Sequence, residues 1–383
     1  MNKELYFDEA VVVGEDIFFT ATNESCLYSY NIVTEKIYKQ KELSVTTINM
    51  KKFISMINYN NKIWMIPLYD NYFRIYNVIQ KTIKYLEVPK QCVKNDGNAV
   101  FRRVVHNEEY IWLIPNYSDC ILQINMKAEE YKFFNSWPEG VVIKDDKPNF
   151  KSASYYNGKL YMFRDNCSSN IILDVNDGSM QVWDIPVEGE FGLVKDGKII
   201  VAPVKRGNTI RIFSFKESNS VHLDTEIMLD EEVWAHEKIY AFWYMDCIDD
   251  KVFILPHEAN VLLILDITTN NVKTVKLANY KHNNLFDNEL LAVESVLKFG
   301  EDILIVSYVG NQLIILDKEN NVKRMISLLI SNDLFGEELK GFINGLVIQN
   351  RERWKNEKIL TASNEYKSIG ESVYSSLMKE SLL

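Results

Sequence analysis

Nowhere does the chain carry the unbroken run of about 18 apolar residues that a membrane-spanning helix needs, so no membrane partner is expected. Its opening, MNKELYFDEAVVVGED, places acidic residues where a secretory signal requires an uninterrupted apolar segment. Basic surplus is also missing. With 43 Lys and Arg against 53 Asp and Glu the net charge is −10, and no basic stripe exists to neutralise phosphates. Nucleic acid is therefore not an expected partner. Cysteine is sparse as well. Cys26, Cys92, Cys120, Cys167 and Cys247 are odd in number and contain no CxxC, which fits thiols of a reducing compartment better than a disulfide framework or a zinc site. A cytoplasmic location is the expectation.

Catalytic signatures are thin. No GxSxG, Gly-rich phosphate loop or HExxH occurs. The five histidines, His106, His222, His236, His257 and His282, occupy unlike positions in the pattern described next, so no metal-ligand spacing emerges. Neither a metal nor a cofactor is expected.

What the chain does have is repetition. The stretch NNKIWMIPLYDN (60–71) sets four apolar residues against Pro67, then a polar loop. Taking Ile63 as an anchor, the same surroundings recur at Ile17, Ile111, Leu160, Ile199, Val252 and Ile303. Ten residues before the anchor stands Phe7, Phe53, Phe101, Phe150 or Phe242, with Gly189 and Val293 as exceptions. Just before it lies a tight-turn signal: GED, YNN, NEE, NGK, DGK, DDK, GED. Four residues after it stands Pro67, Pro115, Pro203 or Pro256. Fourteen after it stands Asn31, Asn77, Asn125, Asp174, Asp266 or Asp317, with only the fifth unit out of step.

Each feature has a physical role. A β-rich run, an Asn/Asp/Gly turn and a second β-rich run make a hairpin. The Asn or Asp closing the third run bonds its own backbone and starts the next turn. A fourth run, such as TIKYLEV or VKTVKL, completes a meander of about 45 residues, the size of one propeller blade. The runs are apolar on both sides, as sheets buried on both faces require; a two-layer sandwich would leave an outer face polar.

On these repeats the chain resembles the seven-bladed β-propeller superfamily over about residues 4–330. The diglycine of kelch repeats and the Gly-His and Trp-Asp signatures of WD40 repeats are missing. The turns LDITTNNV and YNIVTEKI are similar to the D-x-x-T turns of quinoprotein-like and YVTN-like propellers, a motif too short to carry a function across. The expected fold is an all-β propeller of seven four-stranded antiparallel blades over 1–330. The first unit holds all four runs, so no strand need be borrowed from the other terminus to close it.

A helical tail is expected over 331–383. Leu339, Phe342, Ile343, Leu346 and Val347 share one helical face, and Ile369, Val373, Leu377 and Met378 share another, although Gly370 weakens the second helix. Packing of these faces on the propeller is the first reading and docking of a partner the second.

The connections between second and third runs, and between units, vary freely, and variable loops on a rigid frame are where binding groups sit. They offer Tyr69, Tyr117, Arg164 and His257, each of which, taken singly, reads first as a solvated loop residue. The residue after the repeated Phe is a second candidate set: Asp8, Ile54, Arg102, Lys151, Glu190, Trp243 and Glu294. Five charges and a tryptophan at one repeat position are expected at the mouth of a central channel, because an unpaired charge between blades is costly. They fit mutual ion pairs around water as well as they fit a site for an anionic or polyhydroxylated ligand with aromatic stacking. Trp64 and Trp112, on second strands, are expected in the core. The functional expectation is a non-enzymatic scaffold that recognises a protein, peptide or carbohydrate ligand through its variable loops and channel mouth. The alternative is an enzyme acting on a carbohydrate or other polar small molecule there, with a carboxylate pair such as Asp8 and Glu294 as acid and base and His257 as a further candidate.

Overall fold

A computed structural model describes residues 2–44, 51–68, 70–93, 101–115, 120–141, 150–164, 169–185, 191–202, 209–215, 221–229, 242–256, 261–276, 293–307 and 312–331. Seven sheets, each of four antiparallel strands in chain order, occupy 7–42, 53–87, 101–134, 150–184, 191–228, 242–276 and 293–327. They are numbered here as blades 1 to 7, and the fold is a seven-bladed β-propeller. Among the described residues the one helical segment is a single 3-10 turn, Lys90–Cys92. The two helices expected beyond residue 331 lie outside the described residues.

Local chemistry explains the meander. The hairpin joining first and second strands turns through Asn60 and Asn61, Asn157 and Gly158, or Asp196 and Gly197, both central residues at positive φ in each case. That is the turn whose twist matches the flanking strands. The second strands of blades 2, 3 and 6 end at Pro67, Pro115 and Pro256, where a missing N–H ends the ladder. At the third-to-fourth turn the repeated Asn or Asp accepts backbone N–H groups, as expected. Asn31 Oδ1 takes Thr34 N at 2.9 Å, Asn77 Oδ1 takes Gln80 N at 2.8 Å and Asn125 Oδ1 takes Ala128 N at 2.8 Å. Asp266 Oδ1 takes Thr268 N and Thr269 N at 2.9 Å.

Two compact units divide the chain, Met1–Lys52 with Lys276–Leu383, and Phe53–Val275. The second unit holds blades 2 to 6, and its core shows why the strands are apolar on both sides. Along the second strand of blade 3, Ile111 and Leu113 pack toward blade 2, whereas Trp112 and Ile114 pack toward blade 4. Blade 4 repeats this, with Leu160 and Met162 on one side and Tyr161 and Phe163 on the other. Ile199 and Val201 of blade 5 meet blade 4, and Ile200 and Ala202 meet blade 6. Period-two alternation thus serves two cores at once. Trp64 and Trp112 are fully buried core residues, and the Trp112 ring stacks on Tyr155 with centroids 4.8 Å apart.

The first unit holds blades 1 and 7, which share one core that includes Phe7, Phe19, Tyr28, Leu304 and Leu313. Every blade takes its four strands from one continuous stretch. The two ends of the repeat are tied by a separate two-stranded antiparallel sheet, Asn2–Glu4 with Leu329–Ser331, extended by Leu5 N donating to Leu328 O at 3.3 Å.

Candidate binding site

The repeat position singled out after the repeated Phe has a backbone cause. In blades 1, 2, 3, 4, 6 and 7 the register of the first hairpin shifts between Phe7 and Glu9, Phe53 and Ser55, Phe101 and Arg103, Phe150 and Ser152, Phe242 and Tyr244, and Val293 and Ser295. The skipped residues are Asp8, Ile54, Arg102, Lys151, Trp243 and Glu294, each an extra residue in the first strand. Such a β-bulge re-aims side chains and bends the strand. Blade 5 has none: Phe191 pairs with Ala202 and Gly192 with Val201. Phe191 therefore stands in register with Arg103 and Tyr244, two residues later than a fixed spacing from Ile199 places the Phe position. The third strand of that blade is also displaced. Ser214 pairs with Lys198 where the other blades set Asn or Asp, and its hydroxyl donates to Asp224 Oδ1 at 2.9 Å.

Asp8 is buried, and its carboxylate accepts Lys52 N at 3.0 and 3.2 Å and the Thr20 hydroxyl at 3.4 Å. It thereby holds the segment that leads out of blade 1. Next to it the buried pair Lys51 and Glu9 is joined at 2.8 Å. Lys52 is buried too, its ammonium donating to Ala21 O and Thr22 O at 2.9 Å; desolvation pushes its pKa down. Lys151 is buried in the first strand of blade 4. Arg164 ends the second strand of that blade, where its N–H donates to Asn170 Oδ1 at 2.9 Å. Arg102, Trp243 and Glu294 lie on the first strands of blades 3, 6 and 7, with side chains outside the described residues. Tyr69, Tyr117, Glu190 and His257 lie outside the described residues altogether.

The position after the bulge gathers a group that the spacing argument missed. The Arg103 guanidinium carbon lies 4.8 Å from the Tyr244 ring centroid and 5.9 Å from that of Phe191. Its Nε donates to Lys151 O at 2.9 Å. Cation, two aromatic faces and a carbonyl thus come from blades 3, 6, 5 and 4 of one unit. At the same register position of blade 4, Ser152 bridges blades 4 and 5: its hydroxyl donates to Gly192 O at 2.8 Å and accepts Gly192 N at 2.9 Å, and Ser154 Oγ accepts Val194 N at 2.9 Å. Two residues along from Tyr244, burial pushes the Asp246 carboxyl up to about 6. Among the described residues no group of three His, Cys, Asp or Glu side chains is gathered to hold a metal, and no helix is long and apolar enough to cross a membrane.

Asp8, Arg103, Lys151, Phe191 and Tyr244 sit near the start of first strands, and Arg164 at the end of a second strand, at the sheet ends that carry the irregular connections. At the opposite ends the turns stay short, two or three residues between first and second strands and four or five between third and fourth. At the irregular ends the blade-to-blade segments range from 185–190 to 277–292.

No family model matches the chain, and no curated protein matches it in sequence. Solved structures do resemble it. The extracellular domain of a hybrid two component system from B. thetaiotaomicron superposes with a TM-score of 0.52 at 15% identity over 82% of this chain. The match takes in 40% of that larger chain, so this protein spans less than half its length. A chain of a mitotic checkpoint complex (TM-score 0.51, 8% identity, 87% of this chain and 91% of that one) and the WD40 repeats of RRP9 (0.53, 8%, 81% and 88%) resemble it as well. At these identities the likeness is one of fold.

Proposed function

We propose that the protein is a non-enzymatic binding scaffold that recognises a protein-type partner through the irregular ends of its blades. The observation that carries this reading is the division of the connections. One end of each sheet is closed by short turns, locked by Asn or Asp in most blades, and the other carries segments of unequal length over a frame buried on both faces. The Arg103 and Tyr244 pair, set against the buried Phe191, supports it, because half-buried Arg and Tyr side chains are among the residue types that dominate protein recognition. The resemblance to a chain of a mitotic checkpoint complex and to the RRP9 WD40 repeats favours a macromolecular partner over a small substrate.

The test compares two variants as affinity baits in lysate of the native cell. Replacing Tyr69, Tyr117 and Arg164 with Ala alters the irregular ends. Replacing Val33 and Ile79, both exposed in third-to-fourth turns, with Asp alters the short-turn ends. A partner held by the wild type and by the second variant but lost from the first, at unchanged thermal midpoints, is the expected result. Loss from the second variant alone overturns the reading.

A further inference from the structure

Cys92 and Cys120 bring two sulfur atoms together across a blade boundary. Cys92 ends the 3-10 turn in the connection from blade 2 to blade 3, and Cys120 stands one residue before the third strand of blade 3, Ile121–Asn125. The sulfurs are 3.5 Å apart, and both side chains are buried, in the apolar cluster shared by the two blades. Both are thiols.

We propose that this pair is an oxidisable dithiol, which a hydroperoxide converts into an intrachain disulfide that fastens the blade 2 to blade 3 connection onto blade 3. In the first step one thiol sulfur takes an oxygen from the peroxide, giving a sulfenic acid and releasing the alcohol, or water when the oxidant is hydrogen peroxide. In the second the neighbouring thiol attacks that sulfur; the S–O bond breaks, the S–S bond forms and water leaves. Two electrons pass from the pair to the O–O bond, and no further reagent is needed.

Three observations favour capture by the neighbour over further oxidation. The second thiol already stands in contact, so its effective concentration far exceeds that of any solution reductant or oxidant. Both sulfurs are buried in an apolar cluster, so each peroxide must await a local opening, whereas the neighbouring thiol is always in place. Closing the sulfurs from 3.5 Å to the roughly 2.05 Å of a disulfide moves two residues that lie outside the strand ladders. Cys247 is the internal contrast. It is the more exposed thiol, its Sγ contacts the Asp249 carbonyl at 3.3 Å, and burial pushes its pKa up to about 11. The proposal stands apart from the partner reading above.

The test treats the folded full-length chain with graded hydrogen peroxide, blocks remaining thiols with N-ethylmaleimide and maps unreduced tryptic peptides by mass spectrometry. The expected result is one cross-linked peptide pair joining Cys92 to Cys120, reversed by dithiothreitol and absent from Cys92→Ser and Cys120→Ser. The oxidised chain should melt about 5 °C higher, since the bond constrains the unfolded chain. Because the map is made on the wild type, it reads out even where a variant folds poorly. Three results overturn the proposal: both cysteines still alkylated at doses that oxidise Cys247, oxidation of either to sulfinic or sulfonic acid without a link, or a link to any other cysteine.

Discussion

Arg103 of blade 3 lies over the ring of Tyr244 of blade 6, its guanidinium carbon 4.8 Å from the ring centroid, while its Nε is held by the Lys151 carbonyl of blade 4. One side chain thereby links first strands that are 48 and 141 residues away in the chain, counted from 103 to 151 and 244. Long-range contacts of this kind cost loop-closure entropy once, and the blades between them then hold the geometry.

That geometry predicts a measurable coupling. Arg103→Met and Tyr244→Leu should each lower stability by about 1–2 kcal/mol, as expected for a half-buried cation–π contact plus lost packing. In a double-mutant cycle by urea unfolding the pair should show a coupling of about 0.5–1 kcal/mol. Strict additivity would mean that the guanidinium gains nothing from the ring.

Asp246 gives the molecule a pH signature. Its folded carboxyl is raised to about 6 by burial, from the usual 3.8. Between about pH 4 and 6 the folded chain therefore keeps a proton that the unfolded chain has released, so stability falls as pH rises through that window and levels off above it. At about 1.36 kcal/mol per unit the full shift amounts to about 3 kcal/mol, which partial exposure reduces to about 1–2 kcal/mol. Asp246→Asn should raise the urea midpoint at pH 7, leave it unchanged at pH 4 and flatten the slope between. An identical slope in the variant would assign the titration to another group.

Much of this fold was legible because its signals are local. Asn60–Asn61 sets a turn by backbone conformation, Pro67 ends a ladder by lacking a donor, and Asn77 caps the next turn with its own side chain. None of these needs knowledge of the rest of the chain. The bulge was half legible. Counted outward from the Asn60–Asn61 turn, Phe53 and Pro67 are offset by one residue, so pairing them leaves Ile54 over. Arg103, Phe191 and Tyr244 were missed for a simpler reason. The converging residues stand one position beyond Arg102, Glu190 and Trp243, at the same distance from the anchor in bulged blades 3 and 6 as in unbulged blade 5, so a reading that stopped at the residue after the Phe fell one short in each. The cluster itself is tertiary, and no property of a single strand announces which aromatic an arginine three blades away will meet.

Gly192 illustrates a contact of that tertiary kind. A Cβ on Gly192 would fall 1.8 Å from Cε1 of the buried Phe163 ring in blade 4. The backbone there is pinned on both sides by Ser152, so the strand cannot retreat. Gly192→Ala should cost about 3 kcal/mol by overpacking. Phe163→Ala opens the space, and the double variant should be no less stable than Phe163→Ala alone when compared by urea midpoint. Full additivity would place the cost elsewhere in the strand.

Asp266 tests whether the turn chemistry depends on charge or only on the acceptor. The Thr268 hydroxyl donates to Asp266 Oδ1 at 2.6 Å, with Thr268 N and Thr269 N at 2.9 Å, and these bonds hold the carboxyl down at about 2. Stability from a depressed carboxyl is present above the unfolded value near 3.8 and is lost as pH falls through the folded one. Blades 1 to 3 make the same turn with Asn31, Asn77 and Asn125. Asp266→Asn should therefore keep stability at pH 7 within a few tenths of a kcal/mol, whereas Asp266→Ala should cost about 1 kcal/mol for the lost acceptor. The wild type should also lose more stability than Asp266→Asn between pH 4 and 2, read as thermal midpoints. If Asn and Ala prove equally costly, the carboxylate charge rather than the amide-like acceptor holds the blade 6 turn, and the interchange of Asn and Asp along the repeat needs another cause.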